Sequence, residues 1–246
     1  MDGRTLTFRL AGINNQNFVM RDEQTGTWWQ QISGEAILGP LAGKRLQQMS
    51  WDEVTFAVWR GEHPGALVLL PDAAKEESYA KENWEERIAK APTVTPVDAS
   101  DPLSPRDLVV GVVSGTAARA YPTGALGPDR PIADRVGETP LLIVMHTDGR
   151  SLRCFDRRLG AALKATASAD APEDIGSDGP LELFLEAGSD PPMLVDLGTG
   201  SRWDFSGLAT SGPLEGRRLD RVSCLKDFWF DWKLYHPDTD VFIDAP

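Results

Sequence analysis

Four polar residues near the N-terminus, Asn15, Asp22, Gln31 and Glu35, have side chains suited to acid–base work or to gripping a polar ligand. Trp28, beside them, offers a flat apolar face to a ligand ring or a partner. General acid–base catalysis requires Asp22 and Glu35 to converge in one pocket. They sit at opposite ends of one hairpin strand, so they converge only if the chain folds back at Ser33-Gly34. The competing reading is structural. Asn15 and Asp22 are turn formers that bond their own backbone, and Gln31 and Glu35 are solvated. The rest of the chain adds no catalytic constellation. It has no Ser–His–Asp context, no phosphate loop and no GxSxG elbow. Three scattered His and two distant Cys, with no HxxxH or CxxC, make no metal centre and imply no cofactor. Cys154 and Cys224 are either one disulfide or two free apolar thiols. No residue is therefore assigned as catalytic, and the chemistry points away from an enzyme.

Composition narrows the partners. The 246 residues carry a net charge of −12. An acidic surface repels phosphate, which sets nucleic acid aside. No window approaches 18 uncharged apolar residues, so no membrane span is expected. Met1-Asp2-Gly3-Arg4 opens no apolar signal core, so the visible N-terminus points to the cytoplasm. An exported protein would need a signal ahead of it.

The elements that position these residues follow from an internal likeness. Gly39-Pro40-Leu41-Ala42-Gly43-Lys44-Arg45-Leu46 recurs as Gly212-Pro213-Leu214-Glu215-Gly216-Arg217-Arg218-Leu219. At the same offset Ser50 matches Ser223, Trp59 matches Trp232, His63-Pro64 matches His236-Pro237, and Val68 matches Val241. Positions 39–68 align with 212–241 without a gap, and their identities exceed what chance pairing gives. One residue further out of step, Thr25-Gly26 matches Thr199-Gly200 and Trp29 matches Trp203. The chain reads as two copies of one unit. Trp29, Trp203, Trp59, Trp232, His63 and His236 are then structural residues of the repeat. The Trp pairs pack, and each His sits at a helix C-terminus.

The coarse reading is mainly β with short α-helices (α+β), two related β-rich units packed together. Residues 1–71 form the first unit, 72–105 a helix and Pro-rich linker, and 106–246 the second unit. The second unit opens with a strand-rich preface over 106–158 that the first lacks. In the first unit, 6–10, 18–21, 27–32 and 44–49 read as strands, with turn chemistry at Asp22-Glu23-Gln24-Thr25-Gly26. Ser50-Trp51-Asp52-Glu53 reads as a capping box that starts a helix over 51–61. His63-Pro64 stops it, and 66–70 closes the unit as a strand. In the second unit Ser223 caps the matching helix and 241–243 closes. Residues 72–90 read as one helix, 108–113, 117–121, 141–145 and 152–155 as strands, and 160–180 as a surface insertion.

The stretch from Asn17 through Gly43, the Trp59 helix and His63-Pro64 together resemble the family called domain of unknown function 3179. So do Val110-Gly111-Val112, Ala118-Arg119-Ala120-Tyr121-Pro122 and Phe155-Asp156-Arg157 in the preface. The resemblance implies no established activity. It also implies a preface ahead of the first copy, bearing a Cys-Pro-Leu-Cys element, that this chain does not show. In the preface of the second copy the corresponding stretch is His146-Thr147-Asp148-Gly149, without cysteine.

Asn15, Asp22, Gln31 and Glu35 match the family pattern in the first copy. The second copy shows no such set, since Trp203 is followed by Asp204-Phe205-Ser206. This asymmetry makes the first copy the place for a ligand site. The missing preface makes it the place for a partner. The leading expectation is a non-catalytic interaction or assembly module whose first repeat is covered by a protein partner or by self-association. The alternative is an enzyme or a small-ligand or carbohydrate-binding protein with its site in the first repeat. Carbohydrate binding through the unshared tryptophans would need two of Trp28, Trp51, Trp84 and Trp229 exposed and coplanar.

Overall fold

Short strands, many of them joined by tight turns, set the architecture. The computed structural model describes residues 3–14, 17–79, 83–93, 98, 100–159 and 179–243. Among them the fold is mainly β, four four-stranded sheets with a few short helices.

The first sheet is an antiparallel meander of β1 (Phe8–Asn14), β2 (Asn17–Asp22), β3 (Trp28–Gln30) and β4 (Ala36–Leu38). A second meander joins β10 (Leu183–Leu185), β11 (Leu194–Asp196), β12 (Arg202–Trp203) and β13 (Ala209–Ser211). A third sheet has β7 (Ile132–Val136), β8 (Thr139–Met145), β9 (Leu152–Asp156) and β14 (Asp220–Arg221), in the order β14-β9-β8-β7. The fourth has β5 (Leu108–Ser114), β6 (Ala117–Pro122), β15 (Cys224–Phe228) and β16 (Asp240–Val241), in the order β15-β5-β6-β16. The helices are α1 (Phe56–Glu62), α2 (Trp84–Lys90) and α3 (Trp229–Tyr235).

Side-chain alternation stacks these elements in layers. On β8, Leu141 and Ile143 join Val110, Val112 and Tyr121 of the fourth sheet. Leu142 and Val144 point the other way, into a cluster with Leu194, Trp203 and Ala209. β8 is thus buried on both faces, which explains its unbroken apolar run. Behind the fourth sheet, Val109 and Ala120 pack on Trp229 and Trp232 of α3. The order is α3, fourth sheet, third sheet, second meander. The first meander takes no part in these three clusters. It buries Trp29 and Ala36, with Phe8 edge-on to Trp29 at 5.9 Å.

Cys154 and Cys224 are free thiols buried in the core between the third and fourth sheets. Burial pushes the Cys154 thiol well above its ordinary pKa.

Several elements differ from the sequence expectation, each for a tertiary reason. The helix of the first unit begins at Phe56, and its cap is Thr55, whose hydroxyl accepts from the Val58 N–H. The expected capping box is spent elsewhere. Ser50 donates to the Arg221 carbonyl, Asp52 binds two arginines, and Glu53 pairs with Lys226. Ser223 caps nothing; the chain continues as β15 before α3. Residues 44–49 form no strand, only a bridge from Arg45 to Glu35. Residues 66–70 form no strand either, while β16 does, because β6 offers it an edge for parallel pairing. The 72–90 helix is a 3-10 turn (Ala73–Ser78) followed later by α2. β7 has no counterpart among the expected strands. The expected insertion at 160–180 lies almost wholly outside the described residues. The helix stops are as expected: the His63 and His236 N–H groups close α1 and α3 on the Trp59 and Trp232 carbonyls.

Candidate functional site

The turn between β2 and β3 is built by one carboxylate. Asp22 accepts from the Thr25 N–H (2.5 Å), the Thr25 hydroxyl (2.8 Å), the Thr27 N–H (3.2 Å) and the Trp29 indole (2.9 Å). Burial alone would raise its pKa, but these donors outweigh burial and hold it at about 2. The Thr27 hydroxyl then accepts from the Leu41 N–H, and Gly39 lies so close to Thr27 that a Cβ would sit 2.8 Å from its Cα. Asp196 does the same work in the second meander. It accepts from the Thr199 N–H (2.7 Å) and the Trp203 indole (3.2 Å), while Ser201 accepts from the Leu214 N–H. The expected asymmetry between the copies therefore fails at Asp22. Carrying the offset of Thr25 and Trp29 a little further upstream pairs Asp22 with Asp196.

The structure separates the other candidates. Asn15 lies outside the described residues. Glu35 follows the β3–β4 turn and pairs with Arg45 at 3.4 Å, across β3 from Asp22, so the two carboxylates do not converge. Trp28 is exposed on β3, and Trp229 is fully buried. Trp59 is half-buried, with Phe56 stacked at 5.8 Å and His63 at 5.4 Å. Its counterpart Trp232 is buried, with His236 at 4.0 Å, and its ring lies against Gly111.

Gln31 lies in a cleft of about 540 Å³ between the first meander and the fourth sheet with α3. Gly111, Val113, Leu225 and Trp232 supply its apolar surface. Asn17, Gln31, Gln47, Gln48 and His236 supply polar groups, and Trp51 an exposed indole. The Gln31 carbonyl oxygen accepts from the Phe18 N–H, which fixes that amide against β2. Burial lowers the His236 pKa, so the ring is neutral near pH 7.

Behind the cleft, Asn17 donates to Asp231 Oδ2, and Asn14 donates to the Tyr235 hydroxyl at 3.4 Å. These contacts dock the first meander on α3. Burial, then the charge of Asp227, pushes the Asp231 carboxyl up to about 7. Burial pushes Asp227 up to about 6. Asp231 Oδ1 and Asp227 Oδ2 are buried without a hydrogen-bond partner among the described residues.

A second polar cluster ties the 50–62 segment to β9. Buried Arg153 binds Glu62 with both terminal nitrogens (2.5 and 2.7 Å) and Asp52 through Nε (2.9 Å). Arg221 completes it on Asp52 at 2.7 Å. Nothing local marks Arg153, since its carboxylate partners lie far away in the first third of the chain.

Among the described residues no group of three or more His, Cys, Asp and Glu is placed to hold a metal, and no helix is long and apolar enough to cross a membrane. A family model described as protein of unknown function (DUF3179) matches residues 1–239. No curated protein and no solved structure matches the chain.

Proposed function

The chain belongs to the DUF3179 family, and within it we propose a non-catalytic interaction module built from two copies of one unit, the first of which is completed by a partner. The carrying observation is the contrast between the matching helices. In α3, Trp229, Phe230, Asp231 and Trp232 are buried; in α1 no residue is. Phe56, the counterpart of buried Trp229, is 55% exposed. Leu67 and Leu69 are each 96% exposed where the second unit has β16 paired to β6. Most of the exposed large hydrophobic residues among those described precede residue 85. Phe56, Leu67, Leu69 and Leu70 among them fall on α1 and the segment after it, and their exposure supports an interaction surface there.

In the second unit this face is covered by β5 and β6, with Gly111 under the Trp232 ring. The occupant proposed for the first unit is a different polypeptide that presents a two-stranded antiparallel element with a small residue facing Trp59. A second copy of this chain is disfavoured, because its own β5 and β6 are paired on both edges, by β15 and β16. The test is hydrogen exchange on the native complex beside the isolated chain, with light scattering. Slowed exchange over 56–70, abolished by Leu69→Glu, supports the reading. A monodisperse monomer with no copurifying chain overturns it. A homodimer through 56–70 would replace the partner by a second copy.

A further inference from the structure

The cleft between the first meander and α3 differs in character from the rest of the surface. The chain has 37 acidic residues in 246, yet none of the described residues that line the cleft is Asp or Glu. Arg45 is the one cationic residue among them that is always charged, and Glu35 pairs with it from outside the lining. His236 is neutral near pH 7. The cleft is therefore close to neutral, and it presents neither a metal-ligand set nor a phosphate cradle.

What it does present is primary amides and an indole. Asn17, Gln31, Gln47 and Gln48 bring both donors and acceptors, the dual character needed by hydroxyl groups. Trp51 lines this cleft and is 40% exposed, which makes its indole the aromatic group available for stacking. Trp232, by contrast, is held against Gly111 and His236 and contributes wall. The cleft lies between two packed bodies of the chain, a usual place for ligands, and its volume is within the range of small-molecule sites. The geometry points to a binding site for a neutral saccharide, with one sugar ring stacked on Trp51 and its hydroxyls bonded by Gln31, Gln47 and Gln48. The platform is one tryptophan with surrounding amides, not a pair of coplanar tryptophans.

The test uses the full chain with soluble tetrasaccharides of glucose, galactose, mannose and N-acetylglucosamine, and tetragalacturonate as the charged counterpart. Binding is read by saturation-transfer NMR and tryptophan fluorescence. A neutral sugar is expected to bind, with affinity at least tenfold weaker in Trp51→Ala and in Gln31→Leu. Trp84→Ala, exposed but outside the cleft, is expected to leave it unchanged. No transfer from any neutral sugar overturns the site. Tighter binding of tetragalacturonate overturns the ligand class. Affinity unchanged from the parent in both cleft variants overturns the placement.

Discussion

The buried indole of Trp29 donates to the buried carboxylate of Asp22 at 2.9 Å, and that same carboxylate closes the turn that brings the indole to it. A residue with the chemistry of a catalytic acid is thereby engaged in holding a hairpin. Replacing Asp22 by Ala leaves the Trp29 indole unpaired in the interior and the Thr27 N–H with only the Thr25 hydroxyl. The expected cost is about 2–3 kcal/mol in urea unfolding, as for charge-assisted bonds and orphaned donors. The pKa of about 2 lies below the unfolded value, so this stability is present above about pH 4 and is lost as pH falls toward 2. Asp22→Ala should flatten that part of the acid limb.

Asp231 works with the opposite sign. Its folded pKa of about 7 lies above that of an unfolded aspartate, so its contribution is fully present below about pH 4 and is lost as pH rises from there through about 7. Asp227, at about 6, acts in the same direction. Asp231→Asn removes the charge and retains an oxygen for the Asn17 amide. The variant should gain stability over the parent at pH 8 and show little difference at pH 4.5, read by chemical denaturation at both.

Gly111 leaves no room for a side chain, since an added Cβ would meet the Trp232 ring at 2.1 Å. Gly111→Ala should cost about 3 kcal/mol, the upper range for overpacking a core. The loss should appear with a changed near-UV signal from the displaced indole.

Arg153 joins α1 to β9 by pairing Glu62 and Asp52. Arg153→Met should leave Glu62 without its cation and Asp52 with Arg221 alone, and cost about 3 kcal/mol, the low end for breaking a buried ion pair. Hydrogen exchange should speed up over 50–62 more than over the third-sheet strands, since the pairing of β8 with β9 does not use this side chain.

The Trp59 and Trp232 helices show where local information stops. Both stop at His-Pro, as expected from backbone sterics at neighbouring residues. Turn formers and apolar alternation likewise mark β2, β3, β5, β6, β8 and β9, because those signals act within a few positions. The start of α1 falls later than its local pattern indicates. Ser50, Asp52 and Glu53, good cap residues in isolation, bond Arg221, Arg153 and Lys226 in the distant second half of the chain.

The β-rich character, the likeness of residues 39–68 to 212–241 and the family are all legible along the chain. Only tertiary structure decided the fate of the matched segments. Val241 becomes strand and Val68 does not, although the surrounding patterns agree, because a strand exists only where another offers its N–H and C=O groups. The cleft likewise arises where distant segments meet, placing Gln31 and Trp51 beside His236, a juxtaposition no local pattern encodes.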